Sequence, residues 1–291
     1  MARLLAIKLV NVVILALIFG ASYSHAVVPA RYLGSEQALN LTIASFTKVI
    51  NSNRLSESAL AERYIERGLE YGRLFRYQRS VADFSKAIAL NQSSAKVAYV
   101  HRAFAYARLE NYDKAFQDFT AVLSGNTQNL SALDLSAIRQ RAALHYLRGH
   151  YQQAAQDFSL YLRYKPTDMY RMLWMYLAEF YANSGDAELS NSAASLIRQY
   201  SEKSDLQQWP GALLQLYMGD IPLDNLLLAL KPILSSWDAN YRCEVYFYVG
   251  QYHLLQGNKV QAIRYFDQAV KTKAKSLIEY EFSVAYLRKL Q

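Results

Sequence analysis

The chain has 291 residues, 52% of them hydrophobic, and a net charge of +8, enough to bury a sizeable core in one long domain or two. The positive excess is scattered through the chain and never forms a run, which excludes the clustered basic face of a nucleic-acid-binding protein. A single cysteine, Cys243, excludes an intrachain disulfide and any cysteine-based zinc site.

The chain opens with Arg3 and Lys8, then an apolar run from Val12 to Phe19, then Gly20-Ala21-Ser22 and Ser24-His25-Ala26. A basic start, a short apolar core and a small-x-Ala ending describe a secretory signal peptide over 1–26, cleaved after Ala26. The alternative is an uncleaved anchor, although the apolar length falls short of the roughly 20 residues of a membrane span. No cysteine follows Gly20-Ala21-Ser22, so bacterial-type lipid attachment has no acceptor there. Membrane association beyond this point is left open.

Residues 27–60 read as a lead-in followed by one helix. Ser35 is placed to cap it, and Leu39, Ile43, Phe46, Val49 and Ile50 recur at helical spacing. This helix has no partner of repeat type; it either caps the first repeat or reaches to another subunit.

From Ala61 the chain repeats itself. Glu66-Arg67-Gly68-Leu69-Glu70-Tyr71 aligns with His101-Arg102-Ala103-Phe104-Ala105-Tyr106 and with Gln140-Arg141-Ala142-Ala143-Leu144-His145. Ala82-Asp83-Phe84-Ser85 likewise aligns with Gln117-Asp118-Phe119-Thr120 and Gln156-Asp157-Phe158-Ser159. A period in the mid-thirties with a small residue, then Tyr, Ala and Phe, is the tetratricopeptide signature. The expected fold is therefore all-α: a tetratricopeptide (TPR) superhelix over 61–291, with an extra N-terminal helix and a C-terminal capping helix. Repeats fall near 61–94, 96–129 and 135–168, with a degenerate one over 171–200 and a last one over 243–276.

Arg67, Arg102 and Arg141 each precede an aspartate by sixteen residues: Asp83, Asp118 and Asp157. The spacing predicts a ladder of Arg–Asp pairs, within a repeat or across the boundary to the next. Such pairs fix register more than they add net stability. The 24 tyrosines mostly fall at repeat positions, where interhelix packing is their first role.

After Pro166 the pattern loosens. Trp174, Leu177, Ala178 and Tyr181 stand in for a first helix, and Asn183-Ser184-Gly185-Asp186 makes its turn. Between Glu202 and Asp238, Trp209-Pro210-Gly211, Gly219-Asp220-Ile221-Pro222 and Lys231-Pro232 delimit short helices. Regularity returns with Tyr246, Val249, Gly250, Ala262, Phe266 and Ala269, and a final helix from Ser276 to Leu290 is expected to cover the last repeat.

The runs Tyr170-Arg171-Met172-Leu173-Trp174-Met175-Tyr176-Leu177-Ala178-Glu179, Glu202-Lys203-Ser204-Asp205-Leu206-Gln207-Gln208-Trp209, Tyr217-Met218-Gly219-Asp220-Ile221 and Phe247-Tyr248-Val249-Gly250-Gln251-Tyr252 resemble the NlpI-type periplasmic tetratricopeptide lipoproteins. The resemblance covers the chain from about Leu60 onwards. It implies a homodimeric periplasmic adaptor that binds a tail-specific protease and peptidoglycan hydrolases and so regulates cell-wall turnover and division. It also implies that the N-terminal helix serves the dimer. The chain departs from the family in lacking the lipidated cysteine, which speaks against outer-membrane anchoring, and nearly all of the extended tail.

No catalytic constellation emerges: there is no Gly-x-Ser-x-Gly, phosphate-cradling loop or His-Glu-x-x-His. His145 and His150, five apart, are expected on different helix faces, and Cys243 reads as a buried, inert thiol. The sequence implies no enzyme, cofactor or metal. The register of tetratricopeptide first helices instead projects Arg73, Phe104, Arg108, Arg139, Tyr146, Met175, Glu179 and Phe247 into a protein-binding groove. A structural scaffold for an envelope or secretion assembly is the alternative role. A hydrolase hidden in the span from Glu202 to Asp238 would require a polar pocket with a strongly shifted titratable group.

Overall fold

The computed structural model describes residues 36–124, 129–183, 187–235, 238–275 and 277–290. The leader, the lead-in with its Ser35 cap, and the Ser184-Gly185-Asp186 turn lie outside the described residues. Among those described, the fold is all-α, with fourteen helices and no strand. In chain order they are α1 (Glu36–Ile50), α2 (Glu57–Arg73), α3 (Tyr77–Leu90), α4 (Gln92–Arg108), α5 (Tyr112–Leu123), α6 (Ala132–Leu147), α7 (Tyr151–Tyr164), α8 (Met169–Ala182), α9 (Ala187–Ser201), α10 (Gly211–Met218), α11 (Leu223–Leu234), α12 (Ala239–Leu255), α13 (Lys259–Lys271) and α14 (Ile278–Leu290). None is long and apolar enough to cross a membrane.

The chain forms two compact units, one ending at Arg141 and the other beginning at Ala142. In the first, α1 packs on α2, α2 on α3, α3 on α4 and α4 on α5. In the second, α8 pairs with α9, and α12 pairs with α13, with α14 packed against both of the latter. Helix starts follow local chemistry. Ser56 accepts from the Ala59 backbone N–H at 3.3 Å, and Asp168 caps α8 through the Arg171 N–H at 3.2 Å. Asp238 opens α12 by accepting from Asn240 and Tyr241 at 2.9 and 3.1 Å.

Two hairpins interlock through a small residue and a phenylalanine sixteen positions later: Gly68 with Phe84, and Gly250 with Phe266. A Cβ built on Gly68 would stand 2.9 Å from Phe84 Cε1, and one on Gly250 2.7 Å from Phe266 Cε1. The glycines are there because the ring occupies the methyl's space. Phe266 has no room to withdraw: it is fully buried, stacks on Tyr286 at 5.0 Å and lies 6.2 Å from Phe247.

Gly250→Ala therefore sets two effects against each other. Better helix propensity is worth about 1 kcal/mol, whereas forcing a methyl into a packed ring costs about 1–3 kcal/mol. The expected outcome is net destabilisation of up to about 2 kcal/mol, seen as a lower urea midpoint; a midpoint that rises would show that Phe266 can yield.

Candidate functional site

The geometry of the first unit starts from two arginines. Arg67 Nε and Nη2 donate to Asp83 Oδ2 and Oδ1 at 2.7 and 2.8 Å, while Nη1 donates to Thr47 Oγ1 at 3.0 Å. Arg102 does the same with Asp118, at 2.8 Å for both bonds, and reaches Ser85 Oγ at 3.0 Å. Each guanidinium is flanked by tyrosines three residues before and four after it. Arg67 lies 5.4 Å from the Tyr64 ring centroid and 5.8 Å from Tyr71, and Arg102 lies 5.2 Å from Tyr99 and 5.7 Å from Tyr106. The aspartate hydrogen bond raises the pKa of both arginines, so both guanidiniums stay charged. Arg141 is half-buried in the first unit and Asp157 buried in the second.

The bond to Thr47 seats α1 against the first repeat, one of the two places its sequence left open for it. Ser45-Phe46-Thr47 falls in register with Asp83-Phe84-Ser85, so α1 occupies the place of a preceding second helix. The signal was present as a Phe followed by a hydroxyl residue; it was hidden because Ser45 replaces the aspartate.

The projected groove residues are placed otherwise than their register suggests. Phe104, Arg108, Arg139, Tyr146, Met175 and Phe247 are buried, Glu179 is half-buried, and Arg73 is exposed. Met175 and Phe247 have no exposed surface at all. In the second unit the reason is α14. Phe282 lies 5.9 Å from Tyr146, 5.3 Å from Trp174 and 6.3 Å from Phe247, and Tyr286 Oη sits 3.4 Å from Tyr146 Oη. The final helix does more than cover the last repeat: it lies over first-helix residues of α6, α8 and α12. In the first unit, Arg108 Nε donates to Tyr77 Oη at 3.1 Å, and Phe104 packs edge-on to the Tyr77 ring at 6.3 Å.

His145 and His150 also depart from expectation. α6 ends at Leu147, the turn through Gly149 brings His150 back, and the two Nδ1 atoms stand 3.4 Å apart. No group of three or more metal-ligating side chains occurs among the described residues. Cys243 is buried, and that burial pushes its thiol up, away from the reactive thiolate.

The irregular span does contribute to a shifted carboxylate. Trp209 Nε1 and Tyr170 Oη both donate to Glu244 Oε2, at 2.7 and 2.9 Å, and Tyr248 Oη donates to Glu279 Oε1 at 3.3 Å. Burial, with the neighbouring Glu279 charge, pushes the Glu244 carboxyl up to about 8, and burial raises Glu279 as well. The donors come from α8, α12 and the loop before α10, and they tie these segments together. This is the role of a structural knot.

Repeated helical hairpins, two of them keyed by Arg–Asp pairs and two by glycine–Phe contacts, define a TPR-type helical-repeat fold. Residues 61–94 match the family model of the tetratricopeptide repeat. Among solved structures, the chain is similar to a tetratricopeptide repeat protein from Parabacteroides merdae, at 18% identity, TM-score 0.51, covering 88% of this chain and 91% of that one. It is also similar to the apo form of RapI, at 13% identity, TM-score 0.54, covering 84% and 95%. At these identities the likeness is one of fold.

Asp118→Ala would leave a largely buried guanidinium without its carboxylate, at an expected cost of about 3 kcal/mol. Pairing it with Arg102→Met should recover much of that loss; an unmoved urea midpoint for the single variant would remove the ladder as a register device. For Glu244 the sign follows from its raised pKa. The folded state keeps a proton that the unfolded state releases, so stability is highest below the ordinary carboxylate range and falls as pH climbs to about 8. Glu244→Gln keeps an acceptor for Trp209 and Tyr170, and should flatten that decline when Tm is followed across this window.

Proposed function

We propose that this chain is an exported, non-enzymatic adaptor of the periplasm, a homodimer that binds a tail-specific protease and peptidoglycan hydrolases and thereby regulates cell-wall turnover and division. The observation that carries the reading is the tetratricopeptide repeat at 61–94 within an all-helical chain whose second half resembles the NlpI-type periplasmic proteins. Helical repeats present extended surfaces suited to polypeptides. The basic, apolar and small-residue order of the first 26 residues supports export.

Such an adaptor works by proximity. Holding protease and client on one chain turns their encounter into an intramolecular event at an effective concentration in the millimolar range for short tethers. No chemistry by the adaptor is needed, and its buried carboxylates and thiol are engaged in the fold. The exposed face of α1, with Leu41 67% and Val49 38% exposed, is the surface this reading gives to the dimer.

Pull-down from a periplasmic extract with the mature chain as bait is expected to retain a tail-specific protease together with a wall endopeptidase. Light scattering on the same material should report two subunits. Capture of neither enzyme would sink the proposal, and stable co-purification with a membrane assembly would favour a scaffold role instead.

A further inference from the structure

The turn between α2 and α3 places a bulky aromatic where two of its counterparts have glycine and the third a glutamate. In four hairpins the residue two places before the second helix has positive φ: Phe75 at 58°, Glu110 at 59°, Gly149 at 75° and Gly257 at 73°. Glycine takes this conformation freely, whereas a bulky aromatic there is an outlier that carries strain. Phe75 receives little packing in return, since it is 63% exposed. Strain kept without benefit to the fold points to use outside it.

The ring is nevertheless held in place. It stands edge-on to Tyr77 at 6.3 Å, and Tyr77 stands edge-on to the buried Phe104 at 6.3 Å. Arg108 fixes Tyr77 through its hydroxyl at 3.1 Å and lies 5.3 Å from its ring centroid. Phe75 is thus the outer end of an aromatic row anchored in the core, an anchor that loses little freedom on binding.

Its surroundings are basic. Phe75, Arg76, Gln78 and Arg79 line a shallow, open hollow, suited to an exposed side chain of a docked segment rather than to an enclosed small molecule. Arg73, at the end of α2, is exposed and spans 3.3 Å to Glu70. Arg76 is 3.7 Å from Glu36, too long for a hydrogen bond. Arg79 lies 5.7 Å from the Tyr71 ring centroid, and among the described residues it makes no ion pair. Three arginines face two glutamates, so positive charge is left over beside an exposed aromatic side chain.

We propose that the α2–α3 turn is a docking site for an acidic polypeptide segment carrying an aromatic or large aliphatic residue. That residue enters the hollow against Phe75, while flanking carboxylates take Arg76 and Arg79 in charge-assisted, fork-like bonds. An anionic lipid surface fits less well: the patch offers a single apolar side chain, is concave, and includes Glu36 and Glu70. The inference deepens the adaptor reading, on which it rests, by giving one site and the chemistry of its partner.

The test uses the purified full chain and fluorescein-labelled peptides: one of Asp and Glu around a single Trp, one with Lys in place of the acids, and one with Ala in place of the Trp. The acidic Trp peptide should bind on the order of 10 μM, the Ala peptide about tenfold more weakly, and the Lys peptide not at all. Phe75→Gly should weaken binding about tenfold while Tm holds or rises, because it relieves the positive-φ strain without emptying the core. Arg76→Glu combined with Arg79→Glu should abolish binding. Equal affinity for acidic and basic peptides, or unchanged affinity in Phe75→Gly, would overturn the proposal. So would binding confined to phosphatidylglycerol vesicles, with no peptide bound. Because these arms need no client enzyme, peptide binding without protease or hydrolase capture would count against those partners and leave the site standing.

Discussion

The order of the first unit depends on one guanidinium doing three jobs. Arg67 and Arg102 each grip an aspartate on the second helix of their own hairpin and a hydroxyl on the helix before it, with a tyrosine ring on either side. A hydrophobic interface of this size could slide by a turn at small cost, since one apolar residue replaces another. A planar fork with fixed donors cannot, because every shifted register strands a buried charge. The small–Phe contact sets how closely the two helices approach, and the arginine sets where along their length they do so. Net stabilisation is left to the apolar core, where Phe84 and Phe119 are almost fully buried.

The second unit reaches the same end by different means. Trp174, Phe247, Phe282 and Tyr286 form a continuous aromatic mass in which each ring lies within about 6 Å of a neighbour. Hydrogen bonds from tyrosines then fix what the rings alone would leave loose: Tyr217 donates to the Tyr248 carbonyl at 2.7 Å, and Tyr181 to Gln251 Oε1 at 2.8 Å. Aromatic packing tolerates irregular chain paths better than a strict repeat does. Segments broken by Pro210, Gly219 and Pro222 can therefore still be held, with Trp209 reaching Glu244 from outside any helix.

What the sequence made legible was whatever depends on spacing alone. The sixteen-residue offsets for Arg67–Asp83 and Arg102–Asp118 are consequences of a hairpin's length, and so could be read directly. Residue roles that depend on a third, distant element could not. Tyr146 and Phe247 sit at positions that would face outward in an isolated repeat; α14 packs on both, arriving from more than a hundred residues away from Tyr146. The expectation for His145 and His150 failed for a related reason. Helical spacing does not hold across the end of α6, because a turn rather than a helix connects them. α1 was legible in principle through Phe46-Thr47, but its missing aspartate removed the cue that the other copies share.

Two places break local rules, and they differ in what the fold receives back. The Glu244 and Glu279 carboxyl groups are buried at a cost, but they collect hydrogen bonds from Trp209, Tyr170 and Tyr248 and thereby help to join α8, α12 and the loop before α10. Their position is accounted for from within the molecule. Phe75 returns nothing of that kind. Gly149 and Gly257 show that the same turn closes with glycine, Glu110 that a polar residue suffices, and the ring's own exposure shows that no core is gained. A strained, exposed aromatic of this kind is what the proposed docking at the α2–α3 turn accounts for. In this protein, whose first-helix side chains are largely taken up by its own packing, recognition belongs to the rim of the repeats.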